Sequence, residues 1–237
     1  MLTIGFPAAA FATNCFILAP GPGEECLVVD PGIGVEARVA EVCREQGLRP
    51  AAVLLTHGHL DHVYAVTPVC GGDTGVSLPA YIHEDDRYRL RDPLASMDGG
   101  LVAMLEQEFG RRATWSEPSY VVELGDGEKL SIAGLDVQVA HAPGHTEGSV
   151  LFTIPDVPSQ LGSSSGLSAT CLSGDVLFAA SIGRTDLAGG DEAAMTRSLR
   201  DVVLPMADET LVLPGHGPST TIGRERSANP YLQGLTA

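Results

Sequence analysis

The 237-residue sequence predicts an α/β fold in which two β-sheets are sandwiched between helices. Short apolar runs typical of strands fall into two clusters along the chain, and segments with helical spacing of apolar residues are interleaved with them. No internal repeat and no long linker interrupts this pattern, so we expect a single domain over residues 1–237.

The first cluster of strands begins with a predicted hairpin, because the apolar runs Asn14–Leu18 and Cys26–Val29 flank a loop rich in proline and glycine. Apolar residues at helical spacing predict a helix over Val35–Gln46, and Gly47 provides a C-cap. Ala51–Leu55 predicts a short buried strand that leads directly into a histidine-rich motif.

The middle of the chain, residues 71–120, is the least informative, with a predicted strand at Tyr81–Ile82 and helical stretches near 84–91 and 100–109. The second cluster of strands is predicted within 121–141 and at 149–154, 170–172 and 210–213. Residues 158–168 are rich in serine and glycine and predict a loop, whereas 191–203 predicts a helix.

Composition excludes several classes of protein. The net charge of −16 repels a phosphate backbone, so nucleic acid is not an expected partner. No apolar run reaches the roughly 20 residues of a membrane span, and the N-terminus lacks the positive charge of a signal peptide, so we expect a cytoplasmic protein without a membrane partner. The five cysteines have irregular spacing and no CxxC, which predicts reduced thiols.

Three of the seven histidines, His57, His59 and His62, occur within one short run together with Asp61. Imidazoles so close together lose solvation and repel each other when protonated, so a bound metal is the best explanation for the run. We expect Gly58 to permit a tight turn between the first two histidines, and the last two residues of the run to begin a helix. Imidazole and carboxylate ligands suit Zn²⁺, with Fe²⁺ or Mn²⁺ as alternatives.

Three further candidate ligands follow predicted strands and have glycine beside them: His145 in Pro-Gly-His-Thr, Asp175 in Ser-Gly-Asp, and His216 in Pro-Gly-His-Gly. A histidine in a turn can be merely exposed, and an aspartate after glycine can be a cap. Several such residues at strand ends together favour a shared metal site. The remaining histidines have other predicted roles: His141 lies close to the site without being a ligand, and His83 is a surface residue at a helix start.

The run Thr-His-Gly-His-Leu-Asp-His and the three glycine turns resemble the motifs of the metallo-β-lactamase superfamily, and they span residues 30–217. The resemblance implies an αββα sandwich with two mixed sheets and a binuclear metal site at one edge. It assigns His57, His59 and His145 to one metal, and Asp61, His62 and His216 to the other, with Asp175 as a bridge. Asp30 matches an acidic residue behind the ligands that orients them.

Within this superfamily, Gly174–Phe178 and the run Gly-Arg-Thr-Asp at 183–186 resemble glyoxalase II and its relatives. The resemblance implies hydrolysis of a small-molecule thioester of the S-lactoylglutathione type by hydroxide generated between two metal ions. Asp61 and Asp175 are the expected catalytic carboxylates. The chain ends shortly after the last candidate ligand, so we expect no added C-terminal substrate domain. Arg184 is expected to bind a substrate carboxylate, or else to form an ion pair with Asp186 or Asp191.

Other functions stay open at this point. A persulfide dioxygenase with mononuclear iron shares the Gly-Arg-Thr-Asp run, and a lactonase or β-lactamase shares the expected fold. A nuclease is disfavoured by the acidic charge. A binding module without chemistry requires missing ligands, and all seven candidate ligands are present.

Overall fold

Six strands form the first sheet of the protein, which a computed structural model describes over residues 1–71, 77–94, 99–109, 114–162 and 165–235. In chain order and in space they are β1 (Leu2–Pro7), β2 (Asn14–Ala19), β3 (Glu25–Val29), β4 (Arg49–Leu54), β5 (Ala80–His83) and β6 (Val121–Leu124). Strands β1 to β3 pair antiparallel and β3 to β6 pair parallel, so the sheet is mixed.

The second half of the chain contributes the remaining strands, which are β7 (Lys129–Ile132), β8 (Leu135–His141), β9 (Val150–Ile154), β10 (Ala169–Gly174), β11 (Leu177–Phe178), β12 (Ser181–Ile182), β13 (Thr210–Pro214) and β14 (Thr220–Thr221). Six of them form the second sheet in the order β14-β13-β10-β9-β8-β7, and β11 and β12 form a separate two-stranded sheet. This sheet is mixed too, because β10 and β13 are parallel within an otherwise antiparallel set.

The α-helices are α1 (Glu36–Gln46), α2 (Leu60–Val63), α3 (Val66–Val69), α4 (Gly99–Phe109), α5 (Glu192–Ser198) and α6 (Ile222–Ala228). Short 3₁₀ segments cover Glu84–Leu90 and Ser159–Leu161, and a π-helical turn at Leu199–Val203 continues α5. No helix within the described residues has the length and apolar character needed to cross a membrane.

Alternation along the strands produces the layers. In β3, Cys26 and Val28 pack on one face with Val39 of α1, whereas Leu27 and Val29 pack on the other face against the second sheet. The outer face of the second sheet packs against α5 and its continuation in a further apolar core. The chain is therefore layered as helix, sheet, sheet and helix, which confirms the expected αββα sandwich.

Most predicted elements are present with small shifts at their ends. The predicted helix over Val35–Gln46 is α1, and Gly47 caps it at φ 66°. The stretch 84–91 is 3₁₀ rather than α-helical. Strand β1 and the small β11–β12 hairpin were not predicted. The predicted loop 158–168 contains a short 3₁₀ turn, and its residues 163–164 lie outside the described ranges. All five cysteines are buried and unpaired, as expected for reduced thiols.

Candidate metal centre

The predicted metal ligands lie at one edge of the two sheets, on loops that leave strand ends and, for Asp61 and His62, on the short helix α2. His57 and His59 follow β4, and His145 lies between β8 and β9. Asp175 follows β10 directly, and His216 follows β13. The structure brings all seven predicted ligands together, because side chains of neighbouring members lie within contact distance across the loops.

Backbone hydrogen bonds hold two of these loops against each other. The N–H of Gly215 donates to the carbonyl of Gly174 at 2.8 Å, and the N–H of Asn14 donates to the carbonyl of Gly215 at 2.7 Å. The Asn14 side chain also donates to the carbonyl of Pro214 at 2.9 Å. A Cβ on Gly215 would collide with Asp175 Oδ1, so only glycine permits this approach.

Three imidazoles form the first cluster of candidate ligands. The ring centroids of His57 and His59 are 4.8 Å apart, those of His57 and His145 are 4.7 Å apart, and those of His59 and His145 are 4.5 Å apart. Each pair is close to perpendicular, and His59 Nδ1 lies 2.8 Å from His145 Nε2. The three nitrogens can therefore face one ion.

Asp61, His62 and His216 form the second cluster. Asp61 Oδ2 lies 3.5 Å from His62 Nε2 and 3.3 Å from His216 Nε2, and it accepts a hydrogen bond of 2.7 Å from the buried hydroxyl of Thr13. Leu60, just before Asp61, is buried against apolar neighbours. Thr13 escaped prediction because its contact with Asp61 spans 48 residues of sequence.

Asp175 lies between the two clusters. Its Oδ1 is 3.4 Å from His62 Nε2, and its Oδ2 is 3.5 Å from both His145 Nε2 and His216 Nε2. One carboxylate thus faces ligands of both groups, as a bridge between two metal ions requires.

Three buried polar atoms in this centre have no hydrogen-bond partner: His57 Nε2, His62 Nε2 and Asp175 Oδ1. Buried polar groups are almost always paired, and an unpaired group needs an explanation. All three atoms belong to candidate ligands, so the imidazole and carboxylate donors fit divalent metal ions.

The Nδ1 atoms of His57, His62 and His145 already have contacts outside the centre, so Nε2 is the nitrogen of each ring that is available to a metal. Asp30 Oδ2 contacts His62 Nδ1 at 3.0 Å and accepts a hydrogen bond from Thr56 Oγ1 at 2.6 Å. The same hydroxyl lies 3.1 Å from His57 Nδ1, and His145 Nδ1 contacts the carbonyl of Arg184 at 2.8 Å. Asp30 therefore occupies the orienting position that the sequence predicts, at an unfavourable φ of 49°.

Protonation differs among these residues in the metal-free protein. Burial, followed by the neighbouring His62 and His145, holds the pKa of His57 well below its ordinary value, and burial lowers the pKa of His59 to about 3. Burial also disfavours a charge on His62, but Asp175, Asp61 and Asp30 outweigh it and raise its pKa to about 10. Because metals bind the neutral ring, His62 has to lose a proton when a metal binds.

Gly58 serves a different purpose from the predicted tight turn. Its φ is not positive, so the backbone conformation is open to other residues. A Cβ at this position would lie 2.7 Å from Arg89 Cβ. Glycine is required because the Arg89 side chain packs directly on the loop that carries the histidines.

Asp86 is a functional residue that sequence reasoning missed. It is fully buried, and its Oδ2 accepts hydrogen bonds from Gly58 N–H at 2.7 Å and from Thr146 Oγ1 at 2.8 Å. Its Oδ1 accepts from Gly148 N–H at 2.9 Å and from Arg89 Nε at 3.1 Å. A single carboxylate thereby connects the loop of His57 and His59 with the loop of His145. The only sequence signal is the acidic run 84–86 after β5, which does not reveal which member turns inward.

Arg184 forms an ion pair with Asp186, the alternative that the sequence left open. Both its Nε and its second guanidinium nitrogen donate to the Asp186 carboxylate at 2.7 Å, and the side chain is 60% exposed. Asp191 instead caps α5 by accepting from Ala194 N–H. A role for Arg184 in substrate binding stays a prediction.

The prediction that His83 lies on the surface is wrong, although it does begin the 3₁₀ segment. His83 is buried and stacks on His141, with ring centroids 3.9 Å apart and an interplanar angle of 12°. Asp85 Oδ2 lies 3.7 Å from both rings. Lone pairs of imidazole lie in the ring plane, so two parallel stacked rings cannot direct them at one ion, and His141 keeps its predicted non-ligand role.

A cavity of about 720 Å³ opens over the centre. Its floor contains the candidate ligands His59, Asp61, His145, Asp175 and His216. Its volume lies within the range of small-molecule sites in enzymes. The arrangement can therefore place a small substrate beside metal ions held by the floor.

Relatives of known sequence share nearly the whole chain. It is 34% identical over 230 residues to "Probable metallo-hydrolase YqgX" of Bacillus subtilis, covering 97% of each protein. It is 30% identical over 229 residues to "Hydroxyacylglutathione hydrolase GloC" of Haemophilus influenzae, covering 95% of each.

Two solved structures are likewise similar to nearly the whole chain. BLEG-1, described as a B3 metallo-β-lactamase, is similar at 36% identity and a TM-score of 0.76, with 98% of this chain and 100% of that chain covered. TTHA1623, solved in a di-iron-bound form, is similar at 33% identity and a TM-score of 0.72, with 97% and 100% covered. The two clusters of His and Asp have the geometry of a binuclear metal site, which together with the similarity to YqgX indicates a metallo-hydrolase. The profile of the metallo-beta-lactamase superfamily matches residues 8–158, and the chain belongs to that superfamily.

Proposed function

We propose that this protein hydrolyses small-molecule thioesters of the S-lactoylglutathione type at a site for two divalent metal ions. The observation that carries the proposal is the position of Asp175, whose two oxygens face His62 on one side and His145 on the other. When bound at such a site, divalent ions supply Lewis acidity and make hydroxide available near neutral pH.

The residues of the chain have separable tasks. The rings of His57, His59 and His145 would hold one ion, and Asp61, His62 and His216 would hold the other. Burial disfavours ionisation of Asp61, but His62 and His216 keep its pKa well below the usual range. Asp61 is therefore a carboxylate at neutral pH that can orient a water molecule as well as bind metal.

Two observations favour a thioester. The run Gly-Arg-Thr-Asp at 183–186 lies at the cavity through Arg184, and the similar GloC protein is described as a hydroxyacylglutathione hydrolase. A thioester needs only a polarised carbonyl, a nucleophilic water and a stabilised thiolate. We propose zinc as the metal, with iron or manganese as alternatives. All three accept imidazole and carboxylate, and the similar TTHA1623 was solved with two irons.

A second candidate function is β-lactam hydrolysis, which the 36% identity to the B3 enzyme BLEG-1 favours. The same metal site serves an amide carbonyl, so the difference between the two functions lies in the cavity walls. A persulfide dioxygenase with one iron is the third alternative, but the ligands of both clusters are present here.

The decisive experiment combines metal analysis with a three-way activity screen. Protein purified without added metal is analysed by mass spectrometry of its metals, then assayed with S-lactoylglutathione, a chromogenic cephalosporin and glutathione persulfide under an oxygen electrode. We expect about two ions per chain, thioester turnover, and the loss of one ion together with turnover in Asp175→Ala. Cephalosporin turnover without thioester turnover, or oxygen uptake at one iron per chain, would replace the proposal with the corresponding alternative.

A further inference from the structure

The wall of the cavity above the metal ligands is apolar. Six side chains from four separate segments form it: Phe11, Leu60, Phe178, Ile182, Leu187 and Ala188. Phe11 and Leu187 are exposed at 41% and 42%, although contact of large apolar side chains with water is unfavourable. Phe11 also has a φ of 59°, a conformation that costs energy for a residue with a side chain. An exposed apolar rim of this kind, which includes a residue in an unfavourable backbone conformation, is typical of a surface on which apolar ligand atoms pack.

Both arginines of the cavity wall are already paired with carboxylates of the protein. In the described part of the chain, its wall contains two cationic side chains, Arg89 and Arg184. Arg89 donates to Glu147 at 2.6 Å and to Asp86 at 3.1 Å, and only 4% of its side chain is exposed. Arg184 donates to Asp186 through two nitrogens. Each arginine thus has a carboxylate partner within the protein.

This wall is poorly matched to a glutathione arm. Glutathione has two carboxylates, and a carboxylate that loses water without gaining a cation or a hydrogen-bond donor is unfavourable. A binding site selects a charged ligand through polar groups that are placed to pair with that ligand. An uncharged apolar arm, by contrast, removes apolar surface of both partners from water.

Resting on the proposed thioester hydrolysis, we propose that the preferred substrates carry an apolar, uncharged arm, and that glutathione conjugates are poor substrates with high KM. The apolar arm is either the acyl group or the thiol group of the thioester. Its place is against Phe178, Ile182 and Leu187, while the carbonyl faces the metal ligands on the cavity floor.

The test varies one arm at a time. With N-acetylcysteamine as the uncharged thiol, hexanoyl and acetyl thioesters are compared to probe the acyl arm. With the hexanoyl group kept constant, N-acetylcysteamine, benzyl thiol and glutathione are compared to probe the thiol arm. We expect kcat/KM to rise at least tenfold with the longer acyl chain or with the benzyl thiol. We also expect the glutathione thioester to be at least tenfold poorer than its N-acetylcysteamine counterpart, mainly through KM.

Binding of thioethers, which cannot be hydrolysed, separates this inference from the proposed function. Calorimetry with S-hexyl-N-acetylcysteamine and S-hexylglutathione, on metal-loaded protein, should show at least tenfold tighter binding of the uncharged compound. If binding follows this order without any thioester turnover, the proposed function fails and the apolar site stands. Equal or tighter binding of S-hexylglutathione overturns the apolar site, whatever the activity.

A matched pair of variants tests whether the cavity wall causes the preference for uncharged thioesters. Leu187→Lys adds a cation at the cavity, and Leu161→Lys adds one at an equally exposed leucine that is not part of the cavity wall, since both are 42% exposed. We expect Leu187→Lys to lower KM for the glutathione thioester and to raise KM for hexanoyl-N-acetylcysteamine, each at least threefold. Leu161→Lys should change neither. Equal responses of the two variants, or no response to Leu187→Lys, would contradict the assignment.

Discussion

Asp86 accepts a hydrogen bond of 2.7 Å from the backbone N–H of Gly58, which lies between the two histidines of the first metal-binding loop. The same carboxylate accepts bonds from Thr146 and Gly148, the residues that flank the turn after His145. The distance between the two loops therefore depends on one buried side chain, although Asp86 itself is not a predicted ligand. Residues that support metal ligands in this way affect metal affinity strongly.

Asp86→Asn tests this support. The amide has only one acceptor oxygen, so at least one of the backbone donors loses its partner, and Arg89 keeps only Glu147 as a charged partner. We expect metal affinity to fall about 10–100-fold, measured by competition with a chelator, and stability of the metal-free protein to fall by about 1–3 kcal/mol in urea titrations. Asp85→Asn is the control, because the Asp85 side chain is 52% exposed. Unchanged metal affinity in Asp86→Asn would refute the role.

Gly58→Ala should weaken the centre by overpacking. The added Cβ would lie 2.7 Å from Arg89 Cβ, so the loop or the arginine has to move. We expect a loss of about 1–3 kcal/mol in stability, together with weaker metal binding, both measured as for Asp86→Asn. In the control Gly21→Ala the new methyl group meets no atom within 4 Å, so both quantities should match the wild type. A Gly58→Ala protein with wild-type stability would show that the contact is relieved without cost.

His59→Ala should abolish hydrolysis and leave the fold intact. His59 lies on a loop at the sheet edge, whereas the apolar cores lie between the sheets and beneath the helices. The far-ultraviolet circular dichroism of the metal-free variant should therefore match that of the metal-free wild type, while turnover with any substrate of the wild type disappears. An unfolded variant would show that this residue is needed for the structure as well as for activity.

Metal uptake should release protons. His62 has a pKa of about 10 in the metal-free protein, so it is protonated at neutral pH and must become neutral to bind metal. Lowering the pH below 10 therefore increases the competition from protons, and apparent metal affinity should fall by up to about tenfold per pH unit for this one proton. Calorimetry in buffers of different ionisation enthalpy, between pH 7 and 9, measures the number released. Uptake with no proton release would contradict the assigned charge.

The ion pair between Arg184 and Asp186 should influence KM for thioesters that carry a carboxylate. The pair is exposed, so its strength is small, and a substrate carboxylate can compete for the guanidinium. We expect Arg184→Ala to raise KM for S-lactoylglutathione about two- to fivefold with little change in kcat. The reason is that the lost contact stabilises the bound substrate and the transition state equally. Asp186→Asn frees the cation and should lower KM by a similar factor. Opposite or absent responses in steady-state kinetics would remove Arg184 from substrate binding.

The candidate metal ligands were predictable as a group because their signals are local in the sequence. A short run of histidines and glycine turns at strand ends can be recognised without knowledge of the rest of the chain. Short apolar runs in two clusters likewise predicted the two sheets, because a strand buried on both faces places neighbouring side chains in different cores. Strand β1 escaped prediction because Gly5 and Pro7, residue types that favour turns, interrupt its apolar residues, and only Thr3 among its six residues is buried.

The sequence by itself determined an arrangement of two sheets between helices, through its clusters of short apolar runs, and the residues that surround the proposed metals, through its histidine run and glycine turns. Only the tertiary structure decided that Asp86, rather than Asp85, faces inward, and that His83 is buried under His141. It also decided that Arg184 is paired and that the cavity wall is apolar. These features depend on contacts between segments far apart in the chain, such as Asp86 with Gly148, and packing rather than local sequence selects which side chain fills each space.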